Sequence, residues 1–123
     1  MGWNFKSGEA VYQQIAHRLR YEILGGRYAP LEQMPAVRVL ALEAAANPNT
    51  VQRAYTLLEE EGILETRGTA GRFVTGDRAV LEEARRREAK ALTAEFLKQI
   101  YGLGLNQSEV QALLESQSKE EEV

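Results

Sequence analysis

The sequence has no cysteine, a single histidine and a single tryptophan. It also has no apolar run near the roughly 20 residues that a bilayer-spanning helix needs. Without cysteine there are no disulfides, cysteine zinc sites or thiol nucleophiles, which fits a reducing cytoplasm. His17 has no second histidine near it in sequence and is read as a surface or packed side chain, so no metal site is expected. Met1-Gly2-Trp3-Asn4-Phe5-Lys6 lacks a long apolar core, and no signal peptide is expected. Gly68 and Gly71 are not followed by the Lys-Ser/Thr of a phosphate loop. Glu59, Glu60 and Glu61 point about 100° apart on a helix and do not converge as a catalytic pair. No catalytic residue, metal or cofactor is therefore expected, and an enzyme has no support.

A positive charge excess is also missing. The net charge is −3, but it is unevenly spread. Residues 1–76 hold eight Lys/Arg and eight Asp/Glu, whereas residues 77–123 hold seven and ten. The neutral first part leaves nucleic acid open as a partner, because the placement of arginines matters more than the total.

What is present is a strong helical pattern. From about Glu9, the residues Val11, Ile15, Leu19 and Ile23 repeat every four positions, and Gly25-Gly26 ends the helix. Tyr28-Ala29-Pro30-Leu31 is a turn, and Leu31–Met34 is an extended connector or single strand. Pro35 opens a second helix with Val37, Leu40, Ala41, Ala44 and Ala45 as its apolar face. Asn47 then caps a third helix, with Pro48 at its first position, which runs to about Glu61 and stops at Gly62. On this third helix Val51, Ala54, Tyr55 and Leu58 share one face. Asn49, Gln52, Arg53 and Thr56 share the opposite one. This outward set carries no carboxylate and is rich in groups that read bases: Arg suits guanine, and Asn or Gln suits adenine. Taken alone, these residues also fit an ordinary solvent-facing helix.

The neighbours of that stretch favour DNA. The second and third helices are separated by only a few small residues, the helix-turn-helix arrangement. Residues 63–67 and 72–75 are short strands around Gly68-Thr69-Ala70-Gly71, a hairpin. Three helices followed by a hairpin make a winged helix-turn-helix. Asp77 caps a long fourth helix to about Tyr101, and Asn106 or Ser108 caps a fifth. The charged end from about Gln117 is expected to be disordered. Arg85-Arg86-Arg87 lies among Glu82, Glu83 and Glu88 and is read as a salt-bridged solvent face. The expected fold is mainly α with a small β-hairpin. Residues 1–76 form the winged helix-turn-helix, and residues 77–123 a two-helix dimerisation extension with an acidic tail. Leu81, Leu92, Phe96 and Ile100 of the fourth helix need an apolar partner, most simply the same helix of a second copy.

Tyr12-Gln13-Gln14-Ile15, Ile23-Leu24-Gly25-Gly26, Met34-Pro35-Ala36-Val37-Arg38, Asn47-Pro48-Asn49-Thr50-Val51, Arg53-Ala54-Tyr55, Leu58-Glu59, Glu61-Gly62 and Gly71-Arg72-Phe73-Val74 occur in order. Through them the chain resembles the GntR family of transcriptional regulators, in particular its short YtrA-like subfamily. The resemblance implies a regulator, usually a repressor, that binds a palindromic operator in double-stranded DNA as a homodimer, often beside genes for ABC transporters. It carries DNA contact to Arg38, Asn49, Thr50, Gln52, Arg53 and Gly71. Arg67 and Arg72, which flank the wing loop, are candidate phosphate contacts. Two positions depart from the family pattern. Ala36 stands where Ser is usual, which removes a phosphate-bonding hydroxyl. Thr69-Ala70-Gly71 replaces a basic Gly-x-Gly wing tip. Any small-molecule effector would bind at the dimer interface or between wing and helical arm, and the sequence identifies none.

Overall fold

The computed structural model describes residues 2–121. Its elements are α1 (Val11–Leu24), α2 (Val37–Ala44), α3 (Pro48–Glu60), β1 (Leu64–Thr66), β2 (Arg72–Val74), α4 (Arg78–Tyr101) and α5 (Gln107–Glu121). Two compact units divide the chain between Arg85 and Arg86.

In the first unit, the four-residue repeat of α1 buries Ile15, Leu19 and Ile23. They meet Val51, Tyr55 and Leu58 of α3 and Ile63, Leu64 and Val74 of the hairpin in one apolar cluster. Fully burying each such side chain contributes roughly 1.5–3 kcal/mol. Arg20 of α1 clamps the end of α3, donating through Nε and Nη2 to the two oxygens of Glu61 at 2.8 and 2.7 Å. Gly26 and Gly62, just past α1 and α3, have φ of 94° and 82°, the left-handed backbone that stops a helix there. The lead-in is held by Gln14, whose amide bonds the Lys6 backbone in both directions at 2.8 and 2.9 Å. Trp3 and Phe5 pack on the core.

β1 and β2 pair antiparallel, with Leu64 opposite Val74 and Thr66 opposite Arg72. The connector after α1 runs along the open edge of β2, with Gln33 bridging Phe73. The Leu31 N–H donates to Val74 O at 3.0 Å, Val74 N–H to Glu32 O at 2.9 Å, and Met34 N–H to Arg72 O at 2.8 Å. Leu31 itself belongs to the turn, with φ of 71°, and only Gln33 forms a bridge, to Phe73, so of the two alternatives for Leu31–Met34 the connector rather than a strand is adopted.

Four expectations are corrected. Pro35 lies ahead of α2 rather than inside it. The cap is Ala36, in extended backbone and without a side-chain bond, so the Leu40 N–H closes the first turn on the Ala36 carbonyl. Leu81 is not available for dimerisation: with Ala84 it is buried in the core of the first unit. For the same reason this unit extends past the Gly76-Asp77 break to Arg85. The chain beyond Gln117 is helical as far as Glu121, because Gln, Lys and Glu are good helix formers and Glu115 precedes Lys119 at the favourable four-residue spacing. Glu122 and Val123 lie outside the described residues.

In the second unit, Asn106 and Glu109 form the N-terminal box of α5. The Asn106 N–H donates to Glu109 Oε1, and the Glu109 N–H to Asn106 Oδ1, both at 2.9 Å. Asn106, not Ser108, is thus the cap. Val110 is buried. Leu92, Phe96, Leu113 and Leu114 remain 41–55% exposed.

Candidate nucleic-acid interface

The joint before α3 is built by backbone geometry. Ala45 takes a left-handed conformation with φ of 54°, and the Ala46 N–H returns to Ala41 O at 3.0 Å. Asn47 Oδ1 then accepts from the Asn49 N–H at 2.8 Å, the cap expected from sequence. Pro48 fills the first helical position. The buried side of α3 is anchored by Tyr55, whose hydroxyl donates to Pro35 O at 2.7 Å and ties α3 to the entry of α2.

This anchoring turns Asn49, Gln52, Arg53 and Thr56 to solvent, with Thr50 half-buried beside them. Their side chains are not equally free. The Thr56 hydroxyl donates to Gln52 O at 3.0 Å, back onto its own helix. The Arg53 guanidinium lies 3.9 Å above the ring of Tyr12 in α1. Gln52 is bonded to the hairpin: Arg72 Nη1 donates to its Oε1 at 3.0 Å. Arg38, on the first turn of α2, is exposed. Among the described residues its side chain makes no hydrogen bond or ion pair.

The wing differs most from expectation. Arg72 is not a free cation at its edge. Its Nε donates to Glu59 Oε1 at 2.9 Å, and its side chain is 15% exposed. Glu59 Oε2 accepts from the Thr66 hydroxyl. Arg72 is thus a brace between β2 and α3, bonded to both Glu59 and Gln52. Arg67 is also engaged, with Glu65 Oε1 at 2.6 Å and with the face of Phe73. Gly71 serves the backbone, with φ of 108°. A Cβ there would sit 3.3 Å from Gln33 Nε2, which donates to the neighbouring Ala70 O. The exposed loop tip, Thr69-Ala70, is uncharged.

Arg38, Asn49, Gln52 and Arg53 are therefore exposed on the helix-turn-helix, while Gly71 and Arg72 shape and brace the wing. Sequence reasoning missed Tyr12 and Glu59 as the groups holding two of these side chains. No local signal marks either, since each partner lies far away along the chain.

The model of the bacterial regulatory proteins of the gntR family matches residues 11–74, from the start of α1 to the end of β2. The chain belongs to the GntR family. It is 33% identical over 106 residues to the uncharacterized HTH-type transcriptional regulator YhcF of Bacillus subtilis, covering 86% of this chain and 88% of that protein. It is 40% identical over 70 residues to the HTH-type transcriptional repressor YtrA of the same organism, covering 57% of this chain and 54% of YtrA. A solved GntR family transcriptional regulator from Listeria monocytogenes superposes with a TM-score of 0.84 at 34% identity, covering 91% of this chain and 98% of the other. The chain is thus a DNA-binding transcriptional regulator with a winged helix-turn-helix, and its relatives are regulators rather than enzymes. No helix of this GntR protein, among the described residues, is long and apolar enough to cross a membrane.

Proposed function

We propose that this GntR protein is a cytoplasmic repressor that binds a palindromic operator as a homodimer. The observation that carries the DNA reading is the solvent face of α3, where Asn49, Gln52 and Arg53 are exposed without a carboxylate among them. The α3 helix lies in the major groove, Asn49, Gln52 and Arg53 meet base edges, and Arg38 and Thr50 hold the flanking phosphates. Repression is supported by the likeness to the repressor YtrA. The resemblance to that subfamily also supports an ABC-transporter operon as the regulated locus.

The dimer reading rests on the second unit. Leu92 and Phe96 of α4 and Leu114 of α5 leave large apolar surface exposed in one chain, and Ile100 is half-buried beside them. A dimer on a palindrome with half-sites one DNA turn apart places its two recognition helices about 34 Å apart.

The test is binding to DNA from upstream of the chain's own gene across a salt series, alongside transcription from that promoter in vitro. The reading predicts a sequence-selective complex, two chains per site, that weakens steeply with salt and lowers transcript yield. Equal binding to unrelated DNA at every salt concentration would remove the operator reading.

A further inference from the structure

Arg72 holds Gln52 in a way that limits which base Gln52 can read. Arginine has hydrogen-bond donors and no acceptor, so the amide atom facing it is necessarily the oxygen. Gln52 Oε1 accepts from Arg72 Nη1 at 3.0 Å. The guanidinium is itself fixed, because its Nε donates to Glu59 Oε1 at 2.9 Å. The planar fork serves both acceptors at once, and its position sets that of the amide. Glu59 is fixed in turn by the Thr66 hydroxyl on its second oxygen. The chain of bonds runs from β1 through α3 to β2 and back to an exposed residue of α3.

With its oxygen turned toward the protein, the Gln52 amide offers its outer side as NH2, a donor only. Adenine is read by glutamine through both ends of the amide, the oxygen accepting from N6 and the nitrogen donating to N7. Guanine presents two acceptors, O6 and N7, in the major groove, and an NH2 group alone matches them. We propose that Arg72 is a positioning residue that makes Gln52 select guanine over adenine. This rests on the reading of α3 as the recognition helix, and it assigns base choice to a wing residue that need not touch DNA.

Selection of bound sequences from a random duplex pool tests it, using the full chain and three variants. Gln52→Ala identifies the base pair that Gln52 reads, as the one position where preference collapses. The unaltered protein is expected to select guanine there. Arg72→Met, which keeps an apolar stem, is expected to move the guanine-to-adenine ratio at that position alone by roughly tenfold toward adenine. Gln52→Glu, an exposed change that leaves Arg72 an acceptor, removes the outward donors and is expected to abolish the guanine preference even if Arg72→Met folds poorly. Adenine selected by the unaltered protein overturns the proposal. So does a folded Arg72→Met protein that binds every sequence more weakly by the same factor, since a purely structural brace behaves that way. If the unaltered protein enriches no sequence at all, the recognition-helix reading falls and takes this one with it.

Discussion

The guanidinium of Arg53 lies 3.9 Å above the ring of Tyr12, so the one arginine of α3 is held by the first helix. Stacking on an aromatic face fixes the plane of the guanidinium while leaving its edge donors open to a partner. Replacing Arg53 with Ala is expected to cost about 1–3 kcal/mol of specific binding. Tyr12→Leu should cost less, about 0.5–1 kcal/mol, because it removes only the platform. Tyr12→Phe keeps the ring and should bind normally. Titrating labelled operator with the three variants checks the order, and a Tyr12→Leu loss as large as that of Arg53→Ala would contradict it.

Tyr55 links stability to alkaline pH. Burial pushes its phenol well above the ordinary value near 10, with Tyr28 adding to the rise and Arg72 opposing it. A group whose folded pKa is raised contributes stability that is fully present below the unfolded pKa and is lost as pH rises beyond it. Thermal midpoints are therefore expected to fall from about pH 10 upward. Tyr55→Phe should flatten that fall. At neutral pH the same change costs about 1 kcal/mol, because the Pro35 carbonyl loses the 2.7 Å bond from the Tyr55 hydroxyl.

Two apolar residues of α4 should respond in opposite ways. Leu81 is buried in the winged unit, and Leu81→Ala is expected to destabilise that unit by about 2–5 kcal/mol. Phe96 is 41% exposed, and Phe96→Glu should leave the unit's melting unchanged while shifting dimer to monomer. Sedimentation and calorimetry on the two variants separate these effects. A Phe96→Glu protein that stays dimeric would rule out this face as the interface.

The cap of α3 can be weighed in isolation. Asn47→Ala removes the 2.8 Å bond to the Asn49 N–H and is expected to cost about 1 kcal/mol. Denaturant unfolding reads that loss, and Asn47→Asp should recover it.

The helix-turn-helix, the hairpin and the caps at Asn47 and Asp77 were legible because they depend on bonds made within a few residues. Asp77 Oδ1 accepts from the N–H of Ala79 at 3.0 Å, a contact that spans two positions in sequence. The four-residue repeat of α1 and the single apolar face of α3 likewise required only the 100° turn of a helix. The resemblance to the GntR family came from the same local motifs. What stayed hidden involves side chains far apart in sequence. Leu81 has the same spacing as Leu92 and Phe96, yet it is buried in the winged unit while those two remain exposed. Nothing in the periodicity of α4 separates them.

The sequence by itself determined the order of elements, the capped start of α3 and the acid-free face it turns outward, since backbone propensity and side-chain period act locally. Tertiary structure alone decided how that face is equipped. Arg53 rests on Tyr12, and Gln52 is tied through Arg72 to Glu59. A long, flexible side chain has many partners available in an unfolded chain, and only the packing of α1 and β2 against α3 leaves these within reach.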